Sequence, residues 1–190
     1  MKKKGLIITL AIVAVVVIII GSLIGSYNGL VTKNENVIGA QAEISTQLQR
    51  RADLIPNFVE TVKGYSDYEQ ETFTAVTQAR SAVLNADGAA EQAAAANQLD
   101  GAISLWVNAV TEAYPELKAS EQYRALQDEL AGTENRIAVA RRDYNNSAKE
   151  FNTEIKKFPK NILANLFGFE AHEYFEAQDG AEEVPQVSFD

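Results

Sequence analysis

The feature that most limits how this chain can fold is an uncharged run of 19 residues, Leu6 to Ile24, reading LIITLAIVAVVVIIIGSLI. Its branched side chains surround a helix on every side, so no one face can bury them in a small bundle. At ~1.5 Å per residue the run is roughly as long as a bilayer core is thick, ~30 Å. Tyr27 follows where an interfacial aromatic is expected. A cleaved signal peptide also opens with basic residues and an apolar stretch. Here the stretch exceeds a usual h-region, and the first small-x-small pair after it, Ala40-Gln41-Ala42, lies 16 residues past Ile24. An uncleaved anchor is the better reading. The expected organisation is a short basic N-terminus at 1–4, a transmembrane anchor at 5–27, a helical domain at 28–176 and an acidic, disordered tail at 177–190. Lys2, Lys3 and Lys4, with nothing basic beyond the run until Lys33, predict a cytoplasmic N-terminus and an extracytoplasmic domain in a single-pass arrangement.

The remainder is rich in Ala, Gln, Glu, Asn and Leu with only four prolines, which reads as helical. Beyond Lys4 it carries 14 basic against 26 acidic groups, a net charge of −12. So acidic a domain is a poor match for nucleic acid or anionic lipid headgroups, where Lys and Arg supply the binding. Cysteine is absent, which removes disulfides, thiolate metal sites and thiol catalysis.

Periodicity predicts four helices. Leu30, Val37, Ile44 and Leu48 form an apolar stripe, with Val31 and Ile38 alongside and Asn34 and Gln41 interrupting it. At Arg50 to Asn57 we expect a reversal, with Asp53 capping a second helix and Pro56 in its first turn. The alternative is one kinked helix from Leu30 to Leu84, ~80 Å long. The second helix runs from Pro56 to about Leu84 with Val59, Val62, Phe73, Val76 and Val83 on one side, and Gly88 is a natural stop. The third, from Ala89 to about Tyr114, turns Leu99, Ile103, Trp106 and Val110 inward, and Pro115 closes it. The fourth, from a Ser120 cap to about Lys157, repeats Tyr123, Leu130, Ile137, Tyr144, Phe151 and Phe158 every seven residues. Gly132 marks a place where a neighbour can approach closely. The expected fold is all-α, an antiparallel four-helix bundle preceded by one transmembrane helix. From Phe158 to Phe175 the chain is unusually apolar, and either covers the open end of the bundle or forms an exposed docking patch; Lys160 as its only basic residue speaks against a membrane surface.

Several of these stretches resemble the bacterial LemA family: Arg51 to Tyr65 (RADLIPNFVETVKGY), Ala79-Arg80, Tyr114 to Lys118, Glu129 to Ile137, Arg141 to Asn145, Phe151-Asn152 and Phe158-Pro159. The resemblance covers nearly everything after the anchor except the Ala89–Gln98 stretch. It implies an N-terminally anchored, antiparallel four-helix bundle with no catalytic residues to carry over. It also implies an extracellular N-terminus, where Lys2 to Lys4 predict a cytoplasmic one, and a gene neighbourhood shared with membrane metalloproteases.

Enzyme chemistry finds little to work with. A carboxylate-bridged metal site in such a bundle needs Glu-x-x-His on two helices. The single histidine, His172, has no Glu three residues before it, and a serine triad would need the same residue. His172 is therefore expected to be an ordinary surface residue. No catalytic, cofactor or metal residue is assigned. Tyr144/Asn145 and Phe151/Asn152 repeat seven apart, so both asparagines lie on one edge of the fourth helix. With Asp53, Asn57, Glu134 and Arg141 they are expected to form a polar network that sets helix register, a ligand site being the sharper reading. Two functions follow: a non-catalytic scaffold or adaptor at the membrane, or a regulator or client-presenting partner of a membrane metalloprotease. Nothing in the sequence specifies an oligomeric state.

Overall fold

The computed structural model describes residues 2–63 and 70–176; the expected tail at 177–190 lies outside the described residues. The elements are α1 (Lys2–Lys63), α2 (Gln70–Asn85), α3 (Gly88–Ala113), a 3-10 turn (Pro115–Ala119), α4 (Glu121–Glu154) and α5 (Lys160–Phe167). The fold is all-α, with no strand among the described residues. It divides into two compact units, the first comprising Met1–Gly39 with Asn146–His172, the second Ala40–Asn145 with Glu173–Asp190.

In the first unit α1 begins with the apolar run, and its most apolar window is entirely unburied. It is the one helix among the described residues long and apolar enough to cross a membrane. The helix continues through Gly25 and Gly29 to Leu30, which is fully buried against Leu163 and Ala164 of α5, with Ile155 and Phe169 at the rim. Where α4 gives way to α5, Lys157 and Lys160 both donate to Glu154 and hold its carboxyl down to about 2. Gly168 ends α5 at φ 72°, a left-handed conformation that favours glycine, and the N–H groups of Gly168 and Phe169 both point at the Ala164 carbonyl. From there the chain leaves as an extended segment. The seven-residue stripe of α4 fails at its last member. α4 stops at Glu154, so Phe158 is no longer on the helix and stands 80% exposed.

The second unit holds the four-helix packing: the end of α1, α2, α3 and the start of α4. Phe58 of α1 lies edge-on to Trp106 of α3, ring centroids 4.9 Å apart, and 5.2 Å from Tyr123 of α4. The Tyr123 hydroxyl meets Thr111 Oγ1 at 2.9 Å. Leu99, Ile103, Trp106 and Val110 are buried as their spacing predicts, and so are Leu130, Ile137 and Tyr144. Ser120 caps α4, its Oγ accepting from Tyr123 N–H. Gly88, at φ 76°, opens α3 rather than closing α2.

The expected reversal at Arg50 to Asn57 does not occur. α1 runs unbroken through Pro56 to Lys63. A proline there has no N–H for the carbonyl four residues earlier, that of Ala52, and a helix interior normally loses ~3 kcal/mol or more for it. Arg80 of α2 supplies the missing donor, its Nε reaching Ala52 O at 2.9 Å. Asp53 therefore caps nothing; it sits exposed within α1, where Gln49 donates to it at 3.1 Å and the Arg80 guanidinium lies 3.7 Å away. Gly132 also departs from expectation. A Cβ built there meets only the Arg136 guanidinium of its own helix, at 3.6 Å, so no neighbouring backbone requires the glycine.

Two outcomes follow. Arg80→Ala should cost about 1–3 kcal/mol by orphaning the Ala52 carbonyl, and the cost should shrink in a Pro56→Ala background, where residue 56 regains its N–H; denaturant melts of the four variants form the cycle. Gly132→Ala should stabilise the protein by up to ~1 kcal/mol, read as a higher denaturation midpoint.

Candidate functional site

The polar residues singled out along α1 and α4 fall into two constructions. The first is a charge cluster in the second unit. Arg51, its side chain only 5% exposed, places Nη1 2.9 Å from Asp100 of α3 and Nη2 3.8 Å from Glu134 of α4. Burial raises the Asp100 carboxyl while Arg51 pulls it down; burial lowers Arg141, and Asp100 opposes that shift. Arg51 Nε and Arg141 Nε and Nη2 are buried and meet no acceptor among the described residues. Glu134 and the charge of Arg141 thus act on an Arg51–Asp100 pair, not on the asparagines they were expected to join. Asp53 is used by Arg80 instead, and Asn57 is exposed. Arg51 and Asp100 were not foreseen: each looks like an ordinary surface charge until α1 and α3 face each other.

The second construction uses the two asparagines, and it is not a helix-register device. In the first unit Asn152 grips the backbone of the extended segment on both sides: its Nδ2 donates to His172 O at 2.7 Å and its Oδ1 accepts from His172 N–H at 2.8 Å. In the second unit Asn145 does the same to Phe175, with both contacts at 2.9 Å. A planar carboxamide presents one donor and one acceptor side by side, as a neighbouring β-strand would. The seven-residue spacing on α4 repeats the grip.

Each grip is reinforced by side chains. Phe151 is fully buried beneath His172, with centroids 5.1 Å apart, and Phe169 lies edge-on to Phe151 at 6.0 Å. Asn34 of α1 accepts from His172 Nε2 at 2.9 Å, so the residue that interrupts the first stripe has a structural use. His172 is therefore not the surface residue expected: it is half-buried, and desolvation lowers its pKa. In the second unit the buried Phe175 ring meets Tyr144 edge-on at 5.0 Å, with the Arg141 guanidinium 5.8 Å from its centre. Tyr144 Oη donates to Glu173 O at 2.9 Å, and burial, with the Glu173 charge second, raises its pKa. The every-third spacing of Phe169, His172 and Phe175 fits a helix face as well, so the sequence carried no clear signal for this segment.

This chemistry holds a peptide backbone. Among the described residues no three His, Asp or Glu side chains group as metal ligands.

Fold and site together define an all-α protein with one long N-terminal helix apolar enough to cross a membrane, in which α4 asparagines of each unit hold backbone from the stretch after α5. The chain belongs to the LemA family, which it matches over residues 40–189. It is 28% identical over 186 residues to magnetosome protein MamQ 2 of Paramagnetospirillum magneticum, covering 85% of this chain and 68% of that one. Against magnetosome protein MamQ of Magnetospirillum gryphiswaldense the identity is 26% over 181 residues, covering 82% and 66%. Against protein LemA of Metamycoplasma hominis it is 29% over 145 residues, covering 74% and 64%.

Because burial holds the folded-state pKa of His172 below its unfolded value of ~6.5, the unfolded chain binds the extra proton first. The histidine's contribution to stability should be complete above pH ~6.5, fall as the pH drops below it, and level off beneath the folded-state pKa. Denaturant melts on either side of that value, with and without His172→Gln, should show this part of the pH dependence vanish in the variant.

Proposed function

We propose that this LemA-family protein is a non-catalytic scaffold: a single-pass anchor with its N-terminus in the cytoplasm, holding a helical domain on the other side of the membrane. The observation that carries the reading is how the α4 side chains are used. Asn145, Asn152 and Tyr144 bind the protein's own backbone, and His172 is packed on Phe151 and bonded to Asn34. These groups serve to hold a segment in place. The names of the relatives, magnetosome protein and protein LemA, carry no activity, which supports the same view. The orientation rests on Lys2 to Lys4.

Photo-crosslinking in intact cells, followed by capture from detergent, should yield discrete protein adducts absent from an anchor-only control. Adducts confined to a membrane metalloprotease favour the regulator reading; no adduct above the control rejects the scaffold. A reporter active only in the cytoplasm, fused after Asp190, should be silent, and an active one overturns the orientation.

A further inference from the structure

We infer that α5 is a second membrane contact, with Phe158, Ile162, Leu166 and Phe167 seated in the headgroup layer of the bilayer that α1 crosses. The inference rests on the reading of Leu6 to Ile24 as a span.

The placement comes from α1 itself. Tyr27 lies three residues past Ile24 and Leu30 six, so they stand ~4.5 Å and ~9 Å beyond the end of the span. A bilayer core of ~30 Å within a total of ~40–45 Å leaves ~5–8 Å of headgroup region on each side. The Phe167 ring lies 4.7 Å from the Tyr27 ring, and Leu163 and Ala164 are packed on Leu30. The first unit therefore holds Phe167 within the headgroup region and Leu163 and Ala164 at its outer edge, and tilting of α1 brings both closer to the hydrocarbon.

The exposed face of α5 suits that level. Leu163 and Ala164 are buried, yet Phe158, Ile162, Leu166 and Phe167 are 80%, 56%, 72% and 55% exposed. Ile162 and Leu166, four residues apart in α5, share one side of it, and Phe158 is exposed in the turn just before the helix. Among the described residues, the other exposed large hydrophobics after the span, Ile38, Leu84, Leu105, Val139 and Tyr174, are scattered singly along the sequence. Single ones need no explanation; four within ten residues do. An interfacial helix buries such a face ~5–10 Å into the headgroup boundary.

Charge removes the objection that Lys160 stands alone. Lys156 and Lys157 immediately precede α5. Past the span, the first unit has five lysines against four glutamates, and the acidic surplus belongs to the second unit. The surroundings of α5 therefore do not repel an anionic surface as the chain's net charge of −9 suggests.

The chain has no cysteine, so single-cysteine spin labels can be placed on the full-length protein. Labels go at Ile162→Cys and Leu166→Cys, at Val13→Cys within the span, and at Glu35→Cys, exposed on α1 ~16 Å beyond Ile24. The protein is reconstituted in vesicles of equal parts phosphatidylcholine and phosphatidylglycerol. Collision rates are then measured with oxygen, which partitions into lipid, and with a water-soluble nickel chelate. The ratio of oxygen to nickel collisions at positions 162 and 166 should be several-fold above that at 35 and below that at 13. Ratios equal to that at 35 place α5 in water and overturn the proposal. Labels shielded from both reagents mean that protein covers the face, which overturns it too. A water-like ratio at 13 rejects the span and the proposal together, whereas a lipid-like 13 with water-like 162 and 166 rejects α5 alone. The substituted side chains are exposed, and an unchanged melting curve establishes that each variant is folded.

Discussion

A proline in a helix interior leaves one carbonyl without its donor, and the second unit is organised around how that deficit is met. Pro56 strands the Ala52 carbonyl, and Arg80 reaches across from α2 to fill the place. Because the bond is made, α1 keeps its course and delivers Phe58, Val59 and Val62 to the core, where Phe58 touches both α3 and α4. The same guanidinium approaches Asp53, so one arginine positions α2 on α1 through both a backbone and a side-chain contact.

The buried charges belong to the same economy of polar groups. Arg51 is nearly sealed, and its pairing with Asp100 replaces hydration that the core does not offer. Such a pair contributes little over an apolar alternative, but breaking it costs ~3–5 kcal/mol, so it penalises any packing that separates α1 from α3. The asparagine grips act on backbone rather than charge. An extended segment laid on a helix brings N–H and C=O groups that no ladder satisfies. Asn152 and Asn145 satisfy one residue each, with donor and acceptor together. Phe175 and the Phe151–His172 stack supply the apolar contact that makes the segment worth ordering.

Charge is distributed unevenly between the units. The unit that contains the apolar run is close to balanced beyond it, whereas the other carries the acidic excess. The family match over residues 40–189 takes in nearly all of the second unit but only the Asn146–His172 stretch of the first, and leaves out the apolar run. The family match therefore rests on residues beyond the apolar run, and the run is read from its own composition.

The sequence by itself determined the elements that depend on local periodicity: the apolar run, the α3 face from Leu99 to Val110, and the α4 stripe from Tyr123 to Phe151. Each is set by side chains recurring on one face, a property of the chain alone. It also flagged the two asparagines by their shared edge, though not their partner. Only the tertiary structure decided whether Pro56 breaks α1, because the answer lies in a donor 24 residues away in sequence. It decided likewise that His172 is packed against Phe151 and Asn34, that Arg51 pairs with Asp100, and that Phe158 leaves the stripe once α4 has ended. A polar group's role is fixed by the one atom within hydrogen-bonding reach, and periodicity, which reports faces, does not say which atom that is.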